Sequence, residues 1–232
     1  FIKAGAEVIV TTTFTTRRLR LRDNDVEDKF EYLNRKAGEI AKKAIKLYPK
    51  TLIAGGLPPQ DLTYKADLRS DNEIRNNFFD QAKILNDYVD FFYFDVLSSI
   101  REFKIAIEAI KNFNKPYLIG AHISEGTKLP SGEKISDIIS ITKKENVLGL
   151  ILSCISPENY ELNLNEIKIL GIPFGFKLNA FIETNPKPNY NKAYKNSRTG
   201  NPNEFLGIRK DLTPKKMAEF AKNFKDSGAT IL

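Results

Sequence analysis

The chain has 232 residues, a net charge of +7, 41% hydrophobic residues and 28% charged residues. That balance excludes a disordered tail, and no apolar run approaches the ~18–20 residues of a membrane-spanning helix. A single cysteine leaves no internal disulfide and points to a reducing, cytoplasmic setting.

Glu7–Thr13, rich in Val, Ile and Thr, predicts a first strand. Arg17-Arg18-Leu19-Arg20-Leu21-Arg22 is the densest basic cluster. It reads as a phosphate or nucleic-acid contact or, in preference, as a solvated strand-to-helix loop. Val26–Leu47 predicts a helix from the three-and-four spacing of Phe30, Leu33, Ala37, Ile40, Ala41 and Ala44. Thr51–Gly55 predicts a strand, and Ile74–Tyr88 a helix with Ser70-Asp71-Asn72 as capping candidates. Strand and helix then alternate: Asp90–Val96, Ser99–Asn112, Pro116–His122, Ile135–Glu145 and Leu148–Cys154. Ser156-Pro157-Glu158 opens the next helix, with Ser as cap and Pro at the first helical position. Pro173–Asn179 is a strand, Leu212–Ser227 a helix opened by Thr213-Pro214, and Ala229–Leu232 the beginning of a last strand. The chain opens on Phe1-Ile2-Lys3 without an initiator Met and stops within that last strand, so both ends read as cuts through structured elements.

Strict alternation of apolar strands with amphipathic helices predicts a parallel sheet buried on both faces. A doubly wound open sheet and a (β/α)8 barrel both satisfy it. Long polar segments follow the strand C-terminal ends, where barrel sites are built. The longest, Ala180–Asp211, reads as a lid or substrate loop, or as an insertion without a role. Ala54-Gly55-Gly56 ends a strand, but Leu57-Pro58-Pro59 follows, which fits neither the dinucleotide nor the P-loop pattern.

Several strand ends carry chemistry-bearing groups. Cys154 closes an apolar strand just before a capped helix, as a nucleophile, a metal ligand or an inert small hydrophobe. A zinc at Cys154 needs at least two more protein ligands. Asp95 follows four aromatic residues and is either a site carboxylate or a helix cap. Asn179 either meets a ligand or organises a turn. Thr11-Thr12-Thr13 supplies three hydroxyls at the end of the first strand. His122, the only histidine, reads as a satisfied structural residue rather than a base.

Taken in order, these segments resemble the homocysteine S-methyltransferase family. Phe1-Ile2-Lys3-Ala4-Gly5-Ala6-Glu7-Val8-Ile9-Val10-Thr11-Thr12-Thr13-Phe14 is similar to the family's second-strand signature. Ala54-Gly55-Gly56-Leu57-Pro58-Pro59 resembles that of strand three, and Phe94-Asp95-Val96-Leu97-Ser98-Ser99 that of strand four. Leu129-Pro130-Ser131-Gly132-Glu133 is similar to the segment after strand five, and Ser153-Cys154-Ile155-Ser156-Pro157-Glu158 to strand six. Leu178-Asn179-Ala180 resembles strand seven, and Ser227-Gly228-Ala229-Thr230-Ile231-Leu232 the start of strand eight. The resemblance covers essentially the whole chain.

The resemblance implies a single homocysteine-binding domain over 1–232, an α/β (β/α)8 TIM barrel incomplete at both ends. Its first strand would precede Phe1 and its paired cysteines would follow Leu232. It implies methyl transfer from a small-molecule donor to the thiol of homocysteine, forming methionine, on a zinc ion held by three thiolates. Cys154 takes the place of the first zinc ligand. Asp95 takes that of the glutamate holding the amino group of homocysteine, Thr12 and Thr13 line the pocket, and Asn179 sits near the metal. With one thiolate, residues 1–232 alone are expected to be metal-free and inactive. No nucleic-acid or membrane partner is expected. The departures are Asp95-Val96 for Glu-Thr, and Thr12, Ser153 and Leu178 for the usual Asn, Asn and Pro.

Overall fold

The computed structural model describes residues 1–142, 146–182 and 206–232. Its strands are β1 (Val8–Val10), β2 (Leu52–Leu57), β3 (Phe91–Leu97), β4 (Tyr117–Ala121), β5 (Val147–Ile155) and β6 (Phe174–Leu178). Among the described residues they form one parallel sheet in the order β1-β2-β3-β4-β5-β6. The last predicted strand is present as a single parallel bridge, Gly175 to Ile231, which continues the order beside β6. Gly175 is required there, because a Cβ would lie 1.7 Å from the Ile231 carbonyl oxygen.

The helices are α1 (Arg18–Arg22), α2 (Phe30–Ile45), α3 (Asp71–Leu85), α4 (Ile100–Ile110), α5 (Ile139–Thr142), α6 (Pro157–Ile169) and α7 (Pro214–Asp226). The caps follow the sequence chemistry. Ser70, Ser156 and Thr213 accept the third helical N–H of α3, α6 and α7, and Pro157 and Pro214 occupy first-turn positions. The predicted helix Ile135–Glu145 begins as a 3-10 turn, Ile135–Ile138, and passes into α5. Its end and most of Ala180–Asp211 lie outside the described residues.

One expectation is corrected. The cluster Arg17–Arg22 is not a solvated loop but a buried arginine followed by the short helix α1. Arg17 is 2% exposed and donates to the carbonyls of Phe14 and Asp61 and to Thr63 Oγ1. Arg18 pairs with Asp80 at 2.7 Å and lies over the Phe30 ring, and Arg22 forks onto Glu27. Arg17 is thus tied into the fold, while Arg18 and Arg22 are ion-paired nearer the surface.

Both faces of the sheet are buried across β3 and β4, while Val8 and Val10 of β1 are exposed. Phe92 and Phe94 of β3 point outward into the large core shared with Phe78, Phe103, Ile119, Leu150 and Leu152. Phe91 and Tyr93 point the other way, into an inner core with Ala54, Leu118 and Ile151. The sheet is curled around this inner side. Flat strands three positions apart stand roughly 14 Å from each other, yet Asp95 of β3 and Lys177 of β6 meet at 2.5 Å.

Candidate active site

The site gathers at the C-terminal ends of β3, β5 and β6. The ladder breaks register twice there, between Phe94 and Leu97 and between Ser153 and Ile155. The displaced residues, Val96 at φ +69° and Cys154 at φ +56°, adopt left-handed backbone. For a β-branched valine this is a true outlier, and such residues cost about 1–3 kcal/mol each and cluster at functional sites. Cys154 is half-buried and packs, as do Phe14 and Phe181, against the cluster of Tyr64, Val96 and Leu206.

Lys177 Nζ donates to both oxygens of Asp95, at 2.5 and 2.7 Å. It also lies 5.7 Å from the Tyr93 ring centre and 6.0 Å from that of Phe14. Burial opposes the ammonium, but the charges of Asp95 and then Cys154 outweigh it and hold the Lys177 pKa above its ordinary value. Burial pushes the Cys154 thiol up, while Lys177 pulls it down. Tyr93 Oη and Ser153 Oγ share a hydrogen bond of 2.6 Å. Burial, then Asp95, keeps that phenol well above its ordinary range, so it stays protonated. Gly120 makes room for this pair: a Cβ would stand 2.6 Å from the Tyr93 ring and 2.8 Å from Ser153 Oγ.

The cap of α4 is Ser99, which accepts Glu102 N–H, so Asp95 is left to its lysine. Asn179 Oδ1 accepts Phe181 N–H in a turn at 3.0 Å, while the buried Nδ2 has no partner among the described residues. Thr13 is fully buried; its hydroxyl donates to the Gly56 carbonyl at 2.6 Å and meets the Thr11 hydroxyl at 2.9 Å. Thr12 between them is exposed. His122 is fully buried under the Tyr64 ring, with Nδ1 on the Ser153 carbonyl and Nε2 on Ser124 Oγ. Burial drops its pKa to about 4, so the imidazole is neutral and structural.

Sequence reasoning missed Lys177 and Tyr93. The signal for Lys177 was available: a lone charge inside the apolar run Phe174-Gly175-Phe176-Lys177-Leu178. Chemically the site offers one thiol, one carboxylate–ammonium pair and one buried amide, walled by Phe14, Tyr64 and Phe181. Among the described residues no three His, Cys, Asp or Glu side chains stand close enough to hold a metal.

The sequence model of the homocysteine S-methyltransferase family matches residues 1–232. Among solved structures, the chain is similar to the metallated form of the homocysteine methyltransferase MmuM from Escherichia coli. The identity is 18% and the TM-score 0.70, over 96% of this chain and 81% of that chain. The oxidized form of the same enzyme gives 19% identity and a TM-score of 0.65, over 96% of this chain and 80% of that chain. At these identities the likeness establishes a shared fold.

Proposed function

The chain belongs to the homocysteine S-methyltransferase family, and from that premise we propose that it moves a methyl group from a small-molecule donor to the thiol of homocysteine, forming methionine. The scaffold of this reading is a (β/α)8 barrel whose second to seventh strands are β1 to β6 and whose eighth begins at Ile231. A cytoplasmic, reducing setting suits its single cysteine.

Zinc enters this proposal through the resemblance. When bound, zinc lowers the pKa of a coordinated thiol and presents it as thiolate, and Cys154 would be one of its ligands. The donor set of the described residues does not complete a zinc site. The chain's own residues supply position and exclusion of water. Asp95 and Lys177 offer a charged pair to the polar end of the acceptor, with Asn179 and Thr12 on the same rim and Thr13 fixing β1 to β2. Phe14, Tyr64 and Phe181 belong to the same apolar cluster as the thiol. Holding donor and acceptor in line is the main rate effect that such a pocket can provide.

The observation that carries the reading is the convergence of Asp95, Cys154 and Lys177 from three strand ends onto one spot. The test is a donor screen, on a chain that also carries the paired cysteines the resemblance implies, with zinc and homocysteine against S-methylmethionine, betaine, dimethylsulfoniopropionate and methyl-folate, read as methionine formed. Failure of every donor with folded protein would remove the reading. A second reading, a repurposed barrel that binds a small amino acid or related thiol without turnover, is favoured by Lys177 sitting on Asp95. It predicts binding without product.

A further inference from the structure

Asp95 is buried, and both its oxygens are engaged by one ammonium. A second ammonium, from a ligand, would have to displace Lys177 or share those oxygens with it at close range. Two like charges about 3–4 Å apart in a half-buried site repel strongly. The carboxylate is therefore not free to recognise an amine.

Lys177 is in the opposite condition. An ammonium has three N–H donors; Asp95 takes two, and the third has no acceptor among the described residues. The lysine side chain is 41% exposed, against 10% for its aspartate. Nearby on the same strand end, Asn179 Nδ2 is a second buried donor without a partner among the described residues. Two donors with no matching acceptor call for a ligand oxygen, and a carboxylate gives the stronger, charge-assisted bonds.

We propose that Lys177 is a specificity-determining residue that fills the amine position beside Asp95 from within the chain and recognises the acceptor thiol by its carboxylate. The substrate class is then a short thiol acid, in which an α-amino group is dispensable. The inference rests on the methyl-transfer reading only for the thiol; the choice of carboxylate over amine rests on the ion pair.

The experiment is calorimetric binding under reducing conditions with three probes: homocysteine, 4-mercaptobutanoate, which lacks the amine, and 3-mercaptopropylamine, which lacks the carboxylate. Homocysteine and 4-mercaptobutanoate should bind within about threefold of each other, and 3-mercaptopropylamine about tenfold or more weaker, the scale of one charge-assisted hydrogen bond. Lys177→Met frees Asp95 and should reverse that order. Because it leaves a buried carboxylate unpaired, the double variant Lys177→Met/Asp95→Asn serves as a neutral second test and should lose the preference altogether. Homocysteine binding that collapses without its amine, or an unchanged order in both variants, would overturn the proposal and leave methyl transfer standing. If none of the three thiols binds, both readings fall together.

Discussion

Glu102 on α4 allows a quantitative test of the fold's dependence on pH. The side chain is 1% exposed; one oxygen accepts from Ser99 Oγ at 2.7 Å and the other has no partner among the described residues. Burial, opposed by the Ser99 hydrogen bond and reinforced by the charge of Asp67, pushes the carboxyl from 4.5 to about 7. The folded chain thus keeps a proton that the unfolded chain has released between those values. Stability contributed by this group is present below 4.5, declines as pH rises through that window and is gone above about 7. The full span is worth about 3 kcal/mol, of which about 2 kcal/mol separates pH 5.5 from pH 8. Glu102→Gln keeps the shape and removes the proton. Its denaturant-unfolding free energy should lack that ~2 kcal/mol decline, and since the whole ~3 kcal/mol is lost by pH 8, its melting temperature there should exceed that of the parent by roughly 6–12 °C. Parallel pH profiles for parent and variant would refute the argument, since every other titrating group is common to both.

Three further outcomes are expected. Arg17→Met removes a buried guanidinium that ties Phe14 to Asp61 and Thr63, and should cost about 1–3 kcal/mol by denaturant unfolding for each acceptor left unpaired. Gly120→Ala drives a methyl to 2.5 Å from the Phe94 carbonyl and against the Tyr93–Ser153 bond, a clash of about 1–3 kcal/mol, visible as an upfield or downfield move of the Tyr93 ring resonances together with a lowered melting temperature. In a chain that also carries the paired cysteines the resemblance implies, Cys154→Ser should abolish zinc retention and methyl transfer while leaving the melting temperature within a few degrees of the parent. Undiminished zinc by elemental analysis in that variant would contradict the role given to the thiol.

The parallel sheet was legible because each strand is a short apolar run between capped helices, and burial on both faces leaves no other arrangement for such runs. Ser156-Pro157 and Thr213-Pro214 marked helix starts to within a residue, because capping is a local interaction. What sequence could not supply was the direction of side chains whose partners are remote. Arg17 reads like its neighbours in the basic cluster, yet its partners Asp61 and Thr63 come from a distant loop. Lys177 and Asp95 are 82 residues apart, and only the curl of the sheet brings them together. Asp95 and Asn179 each carried two readings. Asp95 is not the cap, since Ser99 holds that place, whereas Asn179 does organise a turn through one half of its amide and leaves the other half spare.

Val96 and Cys154 share one unusual backbone shape on two different strands. Saturation mutagenesis at the two positions would therefore separate geometry from purpose. Glycine relieves torsion at both, and comparing alanine with glycine at residue 96, where neither carries the buried isopropyl group, gives the energetic worth of relaxation. Any shortfall at residue 154 then measures what the sulfur contributes beyond its conformation.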